Sequence, residues 1–327
     1  MQYRPLGRTG FDVSSVSFGA WAIGGTWGSV DDAESMRALH RALDLGVNFF
    51  DTADVYGDGH SERLLARLRH ERREPFLVAT KVGRRSNPHT AHSYTRENLT
   101  SYVERCLHNL EQPALDLLQL HCPPTDVFYM PEVFGVLDDL VRAGKVRYYG
   151  VSVERAEEGL KALEFPQVQS IQVVFNVLRQ RPAELLFPRA LERQVGILAR
   201  LPLSSGMLTG KLTRSTEFAA DDHRSFNREG SAFDKGETFS GFSYEKSLAV
   251  VEQLRALLPQ GMTLTELALR FIASFPAVTC SIPGGRRPEQ VEQNVKAGEA
   301  GALPEELVAK LRAVYETEVK PSVHQRW

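Results

Sequence analysis

The stretch VFGVLDDLVRAGKVRYYGV, residues 133–151, shows the pattern that decides the fold of this chain. Its first part carries apolar residues at helical spacing: Val133, Val136, Leu137, Leu140 and Val141. We predict that this helix ends at Gly144, because glycine adopts the left-handed conformation of a helix end without steric cost. The apolar run VRYYGV (146–151) that follows is typical of a strand buried on both faces. A helix, a glycine and a buried strand together indicate an α/β protein.

The same unit recurs along the chain. Helical stripes that end near Gly46 and Gly196 are followed by the apolar runs VNFF (47–50) and ILA (197–199). Candidate strands lie near residues 16–20, 47–51, 76–81, 115–121, 148–152, 170–175, 197–201 and 278–282. Eight strands with helices between them predict a (β/α)8 TIM barrel. A doubly wound sheet is the alternative, but no G-x-G-x-x-G motif opens a helix after the first strand.

Two segments depart from this repeat. The first fifteen residues predict a small β-hairpin with its turn at Gly7–Gly10, placed at the bottom of the barrel. Residues 213–243, after the seventh strand, are polar and have no sustained period. They predict a long loop that is either a flap over a functional site or a disordered surface excursion. No Pro/Ser-rich linker divides the chain, so we expect residues 1–327 to form one domain.

Composition narrows the class of protein. The chain has 327 residues, 42% hydrophobic and 24% charged, which is ordinary for a globular protein. A net charge of −2 argues against nucleic acid or anionic membranes as partners. The N-terminus lacks the apolar segment of a signal peptide, and no apolar stretch is long enough to span a bilayer. Cys106, Cys122 and Cys280 lack metal-type spacing. We therefore expect a cytoplasmic protein with reduced thiols and no metal, whose oligomeric state is open.

Four polar residues follow predicted strands at their C-terminal ends. Asp51 follows VNFF, Tyr56 lies one short loop later, Lys81 follows FLVA (76–79), and His121 follows LDLLQL (115–120). Strand ends of this kind share one rim, where ligands bind. One such residue alone is more often structural, but an acid, a phenol, an amine and an imidazole together indicate a proton-transfer site. We expect Lys81, held by Asp51, to lower the pKa of Tyr56, and His121 to orient a carbonyl oxygen.

Several segments resemble the aldo-keto reductases, in order along nearly the whole chain. They are FFDTADVYG (49–57), VATKVG (78–83), DLLQLHCPP (116–124), VRYYGVS (146–152), SIQVVFN (170–176), ARLPLSSGMLTGK (199–211) and SIPGGRRPEQVEQN (281–294). The resemblance implies that Asp51, Tyr56, Lys81 and His121 are that family's catalytic tetrad. It also implies an NADP(H)-dependent barrel without a Rossmann fold, which reduces aldehydes or ketones to alcohols or catalyses the reverse reaction.

The resemblance further implies which residues bind the cofactor. They are Ser152, Gln172, Arg200, Leu203, Gly206, Gly284, Gly285, Arg286, Gln290 and Asn294. Ser152 and Gln172 match residues that hold the nicotinamide carboxamide in the family. The segment SIPGGRR (281–287) matches the site of the 2′-phosphate and pyrophosphate. Its residue types agree with that role, because a strand end, two glycines and two arginines at a helix start suit an anion.

Two residues differ from the pattern of many family members. Val153 stands where many have Asn, and Arg200 stands where many have a Tyr that stacks on the nicotinamide. The arginine resembles a bacterial subgroup of the family. A guanidinium can stack on a planar ring or reach a phosphate. NAD(H) is therefore a candidate cofactor beside the expected NADP(H).

Aromatic residues on the rim loops suggest an apolar substrate pocket, although simple packing explains each of them equally well. They are Trp21, Trp27, Tyr129, Phe226 and Phe239. Two other functions are open at this point. Lys81 could be the nucleophile of a Schiff-base aldolase, or the barrel could be an NADPH sensor without turnover. The sequence identifies neither the carbonyl or alcohol substrate nor the preferred direction.

Overall fold

The computed structural model describes residues 1–25 and 31–327. The strands are β1 Tyr3–Pro5, β2 Asp12–Ser14, β3 Phe18–Gly19, β4 Phe49–Asp51, β5 Leu77–Val82, β6 Leu115–His121, β7 Val146–Val153, β8 Val168–Val174, β9 Gly196–Arg200 and β10 Val278–Ile282. The helices are α1 Asp32–Asp44, α2 His60–Glu71, α3 Arg96–Leu110, α4 Pro131–Arg142, α5 Ala156–Ala162, α6 Leu186–Glu192, α7 His223–Phe226, α8 Tyr244–Ala256, α9 Leu264–Ala273, α10 Pro288–Glu299, α11 Glu305–Val314 and α12 Lys320–Val323.

Strands β3 to β10 form a parallel sheet in sequence order, and helices separate successive strands. The first and last strands approach each other through parallel bridges from Val16 to Ser281 and from Gly19 to Gly284. All seven residues of β6 and all seven of β8 are buried, as expected for strands covered on both faces. The predicted (β/α)8 barrel is therefore confirmed, with its eight strands where the apolar runs placed them.

The predicted hairpin of β1 and β2 closes the bottom of the barrel. Leu6 and Val13 are fully buried in the barrel interior, in one cluster with Leu117 and Leu198. The fit against the barrel is tight, since a Cβ at Gly7 would lie 2.4 Å from the carbonyl oxygen of Gln169. The hairpin prediction is therefore confirmed, and so is its position.

Two of the three glycines predicted to end helices do so in the structure, and the third does not. Gly46 and Gly144 have φ of +83° and +71°, as a helix end requires. The prediction for Gly196 was wrong, because the left-handed residue after α6 is Gln194 and Gly196 begins β9. A Cβ at Gly196 would lie 2.8 Å from Cδ1 of Leu6. Glycine is needed there for the close approach of the hairpin.

Residues 213–243, which we call the flap, lie on the rim of the barrel. The flap contains α7 and two short 3₁₀ helices, Lys235–Glu237 and Phe239–Gly241. Its first part packs on the rim through His223, whose ring centroid is 4.8 Å from that of Trp21. Its end is anchored by Ser240, whose Oγ lies 2.9 Å from Ser204 Oγ. The structure therefore agrees with a flap and not with a disordered excursion.

Two smaller predictions concern the cysteines and the membrane. Cys106, Cys122 and Cys280 are all buried free thiols, as predicted. Across residues 1–25 and 31–327, the structure has no helix that combines the length and the apolar character needed to cross a bilayer.

Candidate active site

The structure brings the four polar strand-end residues together. Lys81 Nζ donates hydrogen bonds to Asp51 Oδ1 at 2.5 Å and to the Tyr56 hydroxyl at 3.4 Å. Its third bond goes to the carbonyl oxygen of Thr52 at 2.8 Å. The His121 ring stands edge-on to the Tyr56 ring, with 5.8 Å between centroids. Asp51, Lys81 and His121 are buried, so the group forms one shielded site at the C-terminal rim.

Strand ends and one tight turn position these side chains. Asp51 and His121 are the last residues of β4 and β6, and Lys81 is the penultimate residue of β5. Tyr56 lies in the turn after β4, which Gly57 allows with φ of +60°. A Cβ at Gly57 would lie 2.0 Å from the carbonyl oxygen of Gly24. The loop after β3 thus presses on the turn and fixes the phenol above the barrel.

Two glutamine side chains hold the second oxygen of Asp51. Gln172 Nε2 donates to Asp51 Oδ2 at 2.7 Å, and Gln119 Nε2 donates to the same oxygen at 3.4 Å. The sequence predicted Gln172 as a cofactor residue but missed Gln119. Its position, two residues before His121 on β6, was the available signal, because alternate residues of a strand share one face. Both carboxylate oxygens are therefore engaged.

The charge state of Lys81 and Tyr56 follows from their burial and from each other. Burial alone lowers the pKa of Lys81, but Asp51 and Tyr56 outweigh it, and the pKa of the ammonium group is raised. Burial raises the pKa of Tyr56, and Lys81 opposes this only in part. Lys81 therefore lowers the pKa of Tyr56 as expected, but burial outweighs it and the net pKa is raised. The phenol keeps its proton at neutral pH, which suits an acid.

His121 is a neutral imidazole at neutral pH. Burial lowers its pKa well below the usual value, and the cations Arg84 and Lys81 lower it further. Its Nδ1 is buried and has no hydrogen-bond partner within residues 1–25 and 31–327. A neutral imidazole can donate one hydrogen bond to a carbonyl oxygen placed beside Tyr56.

A cavity of about 490 Å³ runs from this site across the rim to the start of α10. Asp51, Tyr56 and His121 line one end. Most of the predicted cofactor residues line the rest: Gln172, Arg200, Leu203, Gly206, Gly284, Gly285, Arg286 and Gln290. Ser152 and Asn294 do not line it. The Ser152 hydroxyl lies 3.5 Å from Cys122 Sγ, and Asn294 Nδ2 donates to the carbonyl oxygen of Gly284 at 3.2 Å, which supports the loop.

The far end of the cavity is cationic. Arg286 and Arg287 follow the two glycines, and Lys211 and Arg224 line the same cavity from the other side. Burial lowers the pKa of Arg286, and the like charge of Arg224 lowers it further. An anion bound between these side chains relieves that repulsion, and the N-terminus of α10 adds a favourable dipole. The donor set fits the phosphates of a dinucleotide.

Gln290 has a contact within the chain that the sequence did not predict. Its Oε1 accepts hydrogen bonds from the backbone N–H groups of Arg286 at 2.8 Å and Arg287 at 3.3 Å. These bonds fold the loop back onto the first turn of α10 and hold the two arginines at the cavity wall. The structure thus places Gln290 as a support of the anion end as well as a lining residue.

Four ionisable residues, of which Glu237 is buried and the other three are partly buried, form a ring beside the tetrad, which we call the rim charge ring. Arg84 Nη2 binds Glu154 Oε1 at 2.9 Å and Glu237 Oε1 at 2.5 Å. Arg200 closes the ring, with Nη2 3.0 Å from Glu154 Oε2 and Nη1 3.5 Å from Glu237 Oε1. In the sequence, Arg84, Glu154 and Glu237 look like ordinary surface charges, and none of them was predicted as a site residue. Only the folding of the flap, which carries Glu237, buries them.

Of the aromatic residues suggested for the substrate pocket, the described structure brings one to the cavity. Trp21 lines the cavity and stacks on Tyr56 at 6.0 Å between centroids. Tyr129 is 66% exposed and lines a different cavity of about 530 Å³, and Phe226 is 43% exposed and packs on Phe233. Phe239 is buried against Tyr244. Trp27 lies outside the described residues.

One group of side chains has the composition of a metal site. Ligand atoms of Cys122, Glu154 and Glu237 lie within 4.8 Å of one another. Arg84 and Arg200 already bind both carboxylates, and burial raises the pKa of the Cys122 thiol to about 12. The thiolate that a metal requires is therefore disfavoured. That the protein binds no metal stays a prediction.

The barrel holds a proton-transfer group at one end of a cavity and cationic side chains at the other, an arrangement that suits an oxidoreductase with a dinucleotide cofactor. Comparison with known proteins identifies the family. The model of the Aldo/keto reductase family matches residues 15–316. The chain therefore belongs to the aldo/keto reductase family, which are oxidoreductases of carbonyl compounds.

Individual relatives and solved structures support the same family assignment. The aldo-keto reductase YhdN of Bacillus subtilis (strain 168) is 31% identical over 299 residues, which cover 89% of this chain and 87% of the relative. The structure resembles the holo form of aldo-keto reductase AKR11C1 from Bacillus halodurans with a TM-score of 0.79, at 26% identity and coverage of 100% and 99%. It also resembles the glycerol dehydrogenase AKR11B4 from Gluconobacter oxydans with a TM-score of 0.78, at 29% identity and coverage of 97% and 96%.

Proposed function

We propose that the protein is an NADP(H)-dependent reductase of aldehydes or ketones, in which Tyr56 is the general acid and, in the reverse direction, the general base. The observation that carries this proposal is the Tyr56 hydroxyl 3.4 Å from Lys81 Nζ, at the closed end of a cavity whose other end is cationic. When bound, the cofactor supplies the hydride that the carbonyl carbon gains, and is itself oxidised.

The chain's own residues handle the proton. Tyr56 transfers its proton to the carbonyl oxygen, and the Lys81 ammonium stabilises the phenolate that remains. Asp51 keeps Lys81 charged through the 2.5 Å bond. The neutral His121 donates a hydrogen bond that orients the carbonyl oxygen. In the oxidation direction, the Tyr56 phenolate takes the proton of the alcohol.

The same contacts argue against a Schiff-base aldolase. An amine nucleophile must lose its proton, which requires a lowered pKa. Lys81 donates hydrogen bonds to Asp51, Thr52 and Tyr56, and its pKa is raised. Lys81 is therefore better suited to hold charge than to attack a carbonyl carbon.

The proposed cofactor is NADP(H), and we propose that residues 1–327 bind it as one domain. Arg286 and Arg224 would hold phosphate oxygens, the open space beside Gly284 lets the backbone approach them, and Gln172 lies where the nicotinamide carboxamide would bind. Arg200 presents a planar guanidinium on which a nicotinamide can stack. Its two terminal nitrogen atoms contact Glu154 and Glu237, which keep the guanidinium plane in place.

Tyr56→Phe tests the catalytic proposal. We expect kcat to fall by about 10²–10⁴-fold, because the proton donor is lost. The dissociation constant for NADPH, measured by fluorescence titration, should change by less than about twofold, since the ring that packs on Trp21 is kept. Equal losses of turnover and binding would contradict the proposal. Tight NADPH binding by the wild type, without turnover of any carbonyl, would indicate a sensor.

Arg286→Leu tests the choice of cofactor. A charge-assisted hydrogen bond contributes about 1.5–3 kcal/mol, so the dissociation constant for NADPH should rise by about 10–100-fold. That for NADH, which lacks the 2′-phosphate, should rise less. Arg41→Leu is the matched control, because Arg41 pairs with Glu292 of α10 but does not line the cavity. Equal effects of Arg286→Leu on both cofactors would contradict a 2′-phosphate contact.

A further inference from the structure

The turn that carries Tyr56, residues 54–59, contains a buried acid outside the tetrad, Asp54. Asp54 is fully buried, and neither oxygen of its carboxyl group has a hydrogen-bond partner among the residues that the structure describes. Its backbone N–H donates to the carbonyl oxygen of Lys81 at 3.1 Å, which ties the turn to the end of β5. A buried carboxylate without donors is strongly unfavourable, whereas a protonated carboxyl group costs far less.

Glu62 of α2 faces Asp54 and already has donors of its own. Its Oε1 accepts a hydrogen bond from Thr80 Oγ1 at 2.6 Å, and its Oε2 accepts one from Asn109 Nδ2 at 2.8 Å. Burial raises the pKa of Glu62, but these bonds oppose the rise. Burial and the charge of Glu62 raise the pKa of Asp54 to about 7. Asp54 is therefore protonated below neutral pH and loses its proton above it.

A second acid of the same turn, Asp58, binds two arginines. Arg105 Nη2 donates to Asp58 Oδ1 at 2.7 Å and to its carbonyl oxygen at 2.8 Å, and Arg85 Nη1 donates to the same Oδ1. Asp58 has φ of +53°, a left-handed conformation that is uncommon for a residue with a side chain. The two arginines therefore help to hold the turn in this shape.

The same two arginines also attract Asp54. Both lower its pKa, although burial outweighs them. Arg105 Nε is buried and makes no hydrogen bond in the described part of the chain, so an ionised Asp54 has an unused donor nearby. The two aspartates thus compete for the same cations. The other titratable side chains that face Asp54 are Cys106 of α3 and Tyr94 of the loop after β5, and burial raises the pKa of both, so they are neutral at neutral pH.

We propose that Asp54 is a positioning residue whose protonated form holds Tyr56 in place for proton transfer. While Asp54 is neutral, Arg85 and Arg105 stay on Asp58 and support the turn. An ionised Asp54 draws the arginines inward, Asp58 loses its partners, and the turn loosens. Because proton transfer needs the phenol in one geometry, a shift of about 1 Å is enough to lower turnover. The inference rests on the proposed function, since it concerns the placement of its proton donor.

Asp54→Asn tests the inference, because asparagine keeps the shape of the side chain but does not ionise. With NADPH and an aldehyde at saturation, kcat of the wild type should fall by at least about fivefold from pH 6 to pH 8.5. The kcat of the variant should fall by less than about twofold. Asp126→Asn is the matched control, since Asp126 is exposed, and it should follow the wild type. Parallel profiles for the wild type and Asp54→Asn would overturn the inference and leave the proposed function intact, whereas no turnover at any pH would overturn both.

Asp58→Asn approaches the same competition from the other side. Asp58 is 72% exposed, so this variant should fold even where Asp54→Asn does not. Its weaker hold on the arginines should lower kcat by about threefold or more already at pH 6, and kcat should then change less with pH than in the wild type. The dissociation constant for NADPH, measured by fluorescence titration, should stay within about twofold, because Asp58 lies outside the cavity. A wild-type value of kcat at pH 6 would overturn the role given to the two arginines.

Thermal unfolding follows the Asp54 proton without turnover. The folded pKa of about 7 lies above the ordinary value of 3.8, so the contribution of Asp54 to stability is fully present below about pH 3.8 and is lost as pH rises through about 7. Between pH 5 and 8, the melting temperature of the wild type should therefore fall more than that of Asp54→Asn. Equal falls would show that Asp54 does not titrate in this range and would overturn the inference.

Discussion

The tetrad and the rim charge ring lie side by side, but different parts of the chain build them. Asp51, Lys81 and His121 end neighbouring strands of one sheet, and their backbones are held by the barrel. The ring takes Arg84, Glu154 and Arg200 from loops and a strand end, and needs Glu237 from the flap. The tetrad therefore sits on the rigid part of the fold, whereas the rim charge ring depends on a loop.

The two regions also differ in the number of opposite charges that each acidic residue contacts, and Lys81→Met tests this difference. Removing the ammonium leaves Asp51 as a buried charge without a cation, which costs about 3–5 kcal/mol of unfolding free energy. Arg84→Met is the matched change in the ring. Glu237 then keeps Arg200, so the expected loss is smaller, about 1–3 kcal/mol. Chemical denaturation measures both, and an equal or larger loss for Arg84→Met would break the comparison.

The pH dependence of stability should differ as well. Burial and the neighbouring Glu237 carboxylate raise the pKa of Glu154 to about 8 in the folded protein, so Glu154 is the member of the ring that holds a proton at neutral pH. In the unfolded chain its pKa is near the ordinary value of 4.5. The unfolded state therefore binds fewer protons between these two values. The contribution of Glu154 is fully present below about pH 4.5 and is lost as pH rises through about 8. The raised pKa of Lys81 places the corresponding loss for the tetrad at a much higher pH.

Glu154→Gln isolates this effect. The variant should lose less stability than the wild type between pH 5 and 8.5, because glutamine does not titrate. Thermal unfolding at several pH values measures it, with Glu157→Gln as the control, since Glu157 is a neighbouring exposed residue. Parallel curves for the wild type and Glu154→Gln would show that Glu154 does not titrate in this range.

The smallest expected effect concerns the support of Asp51. Gln119→Met removes one donor to Asp51 Oδ2 and keeps the donor from Gln172. Although its acceptor is charged, this hydrogen bond is long at 3.4 Å and contributes about 1 kcal/mol, so kcat should fall by less than about tenfold. The alkaline limb of the pH–rate profile should shift with it, because Asp51 tunes Lys81 and Tyr56, whose pKa values are raised above their ordinary values. A fall in kcat with an unchanged pH profile would indicate a packing role only.

Most of the barrel was predictable from local patterns. The eight apolar runs, the glycines Gly46 and Gly144 and the hairpin turn all reflect interactions between residues near one another in the chain. Asp51, Lys81 and His121 were accessible for the same reason, since each follows its own strand. Gln119 was missed although its spacing from His121 was visible, because a buried polar residue on a strand does not by itself reveal its partner.

The rest could not be read from local patterns. The sequence analysis expected the pKa of Tyr56 to fall, but burial, which depends on the whole rim, raises it. It placed Tyr129 and Phe226 in a substrate pocket, yet loop conformation turns both away from the cavity. Gly196 was predicted to end a helix, but glycine is needed there because the hairpin packs closely against it. That hairpin is distant in sequence, so the contact is not visible in a local pattern.

By itself, the sequence determined the barrel, the hairpin at its base and the order of the four polar residues along its rim. These features depend on the periodicity of apolar side chains and on strand direction, which a linear pattern records. Only the tertiary structure decided the character of the wall beside the tetrad. Arg84 and Glu237 are 153 residues apart, and they form a partly buried 2.5 Å ion pair only after the flap has folded over the rim. Charge pairing and desolvation between distant segments are properties of the folded state, and they turn residues that look like ordinary surface charges into an ion-paired ring at the cavity.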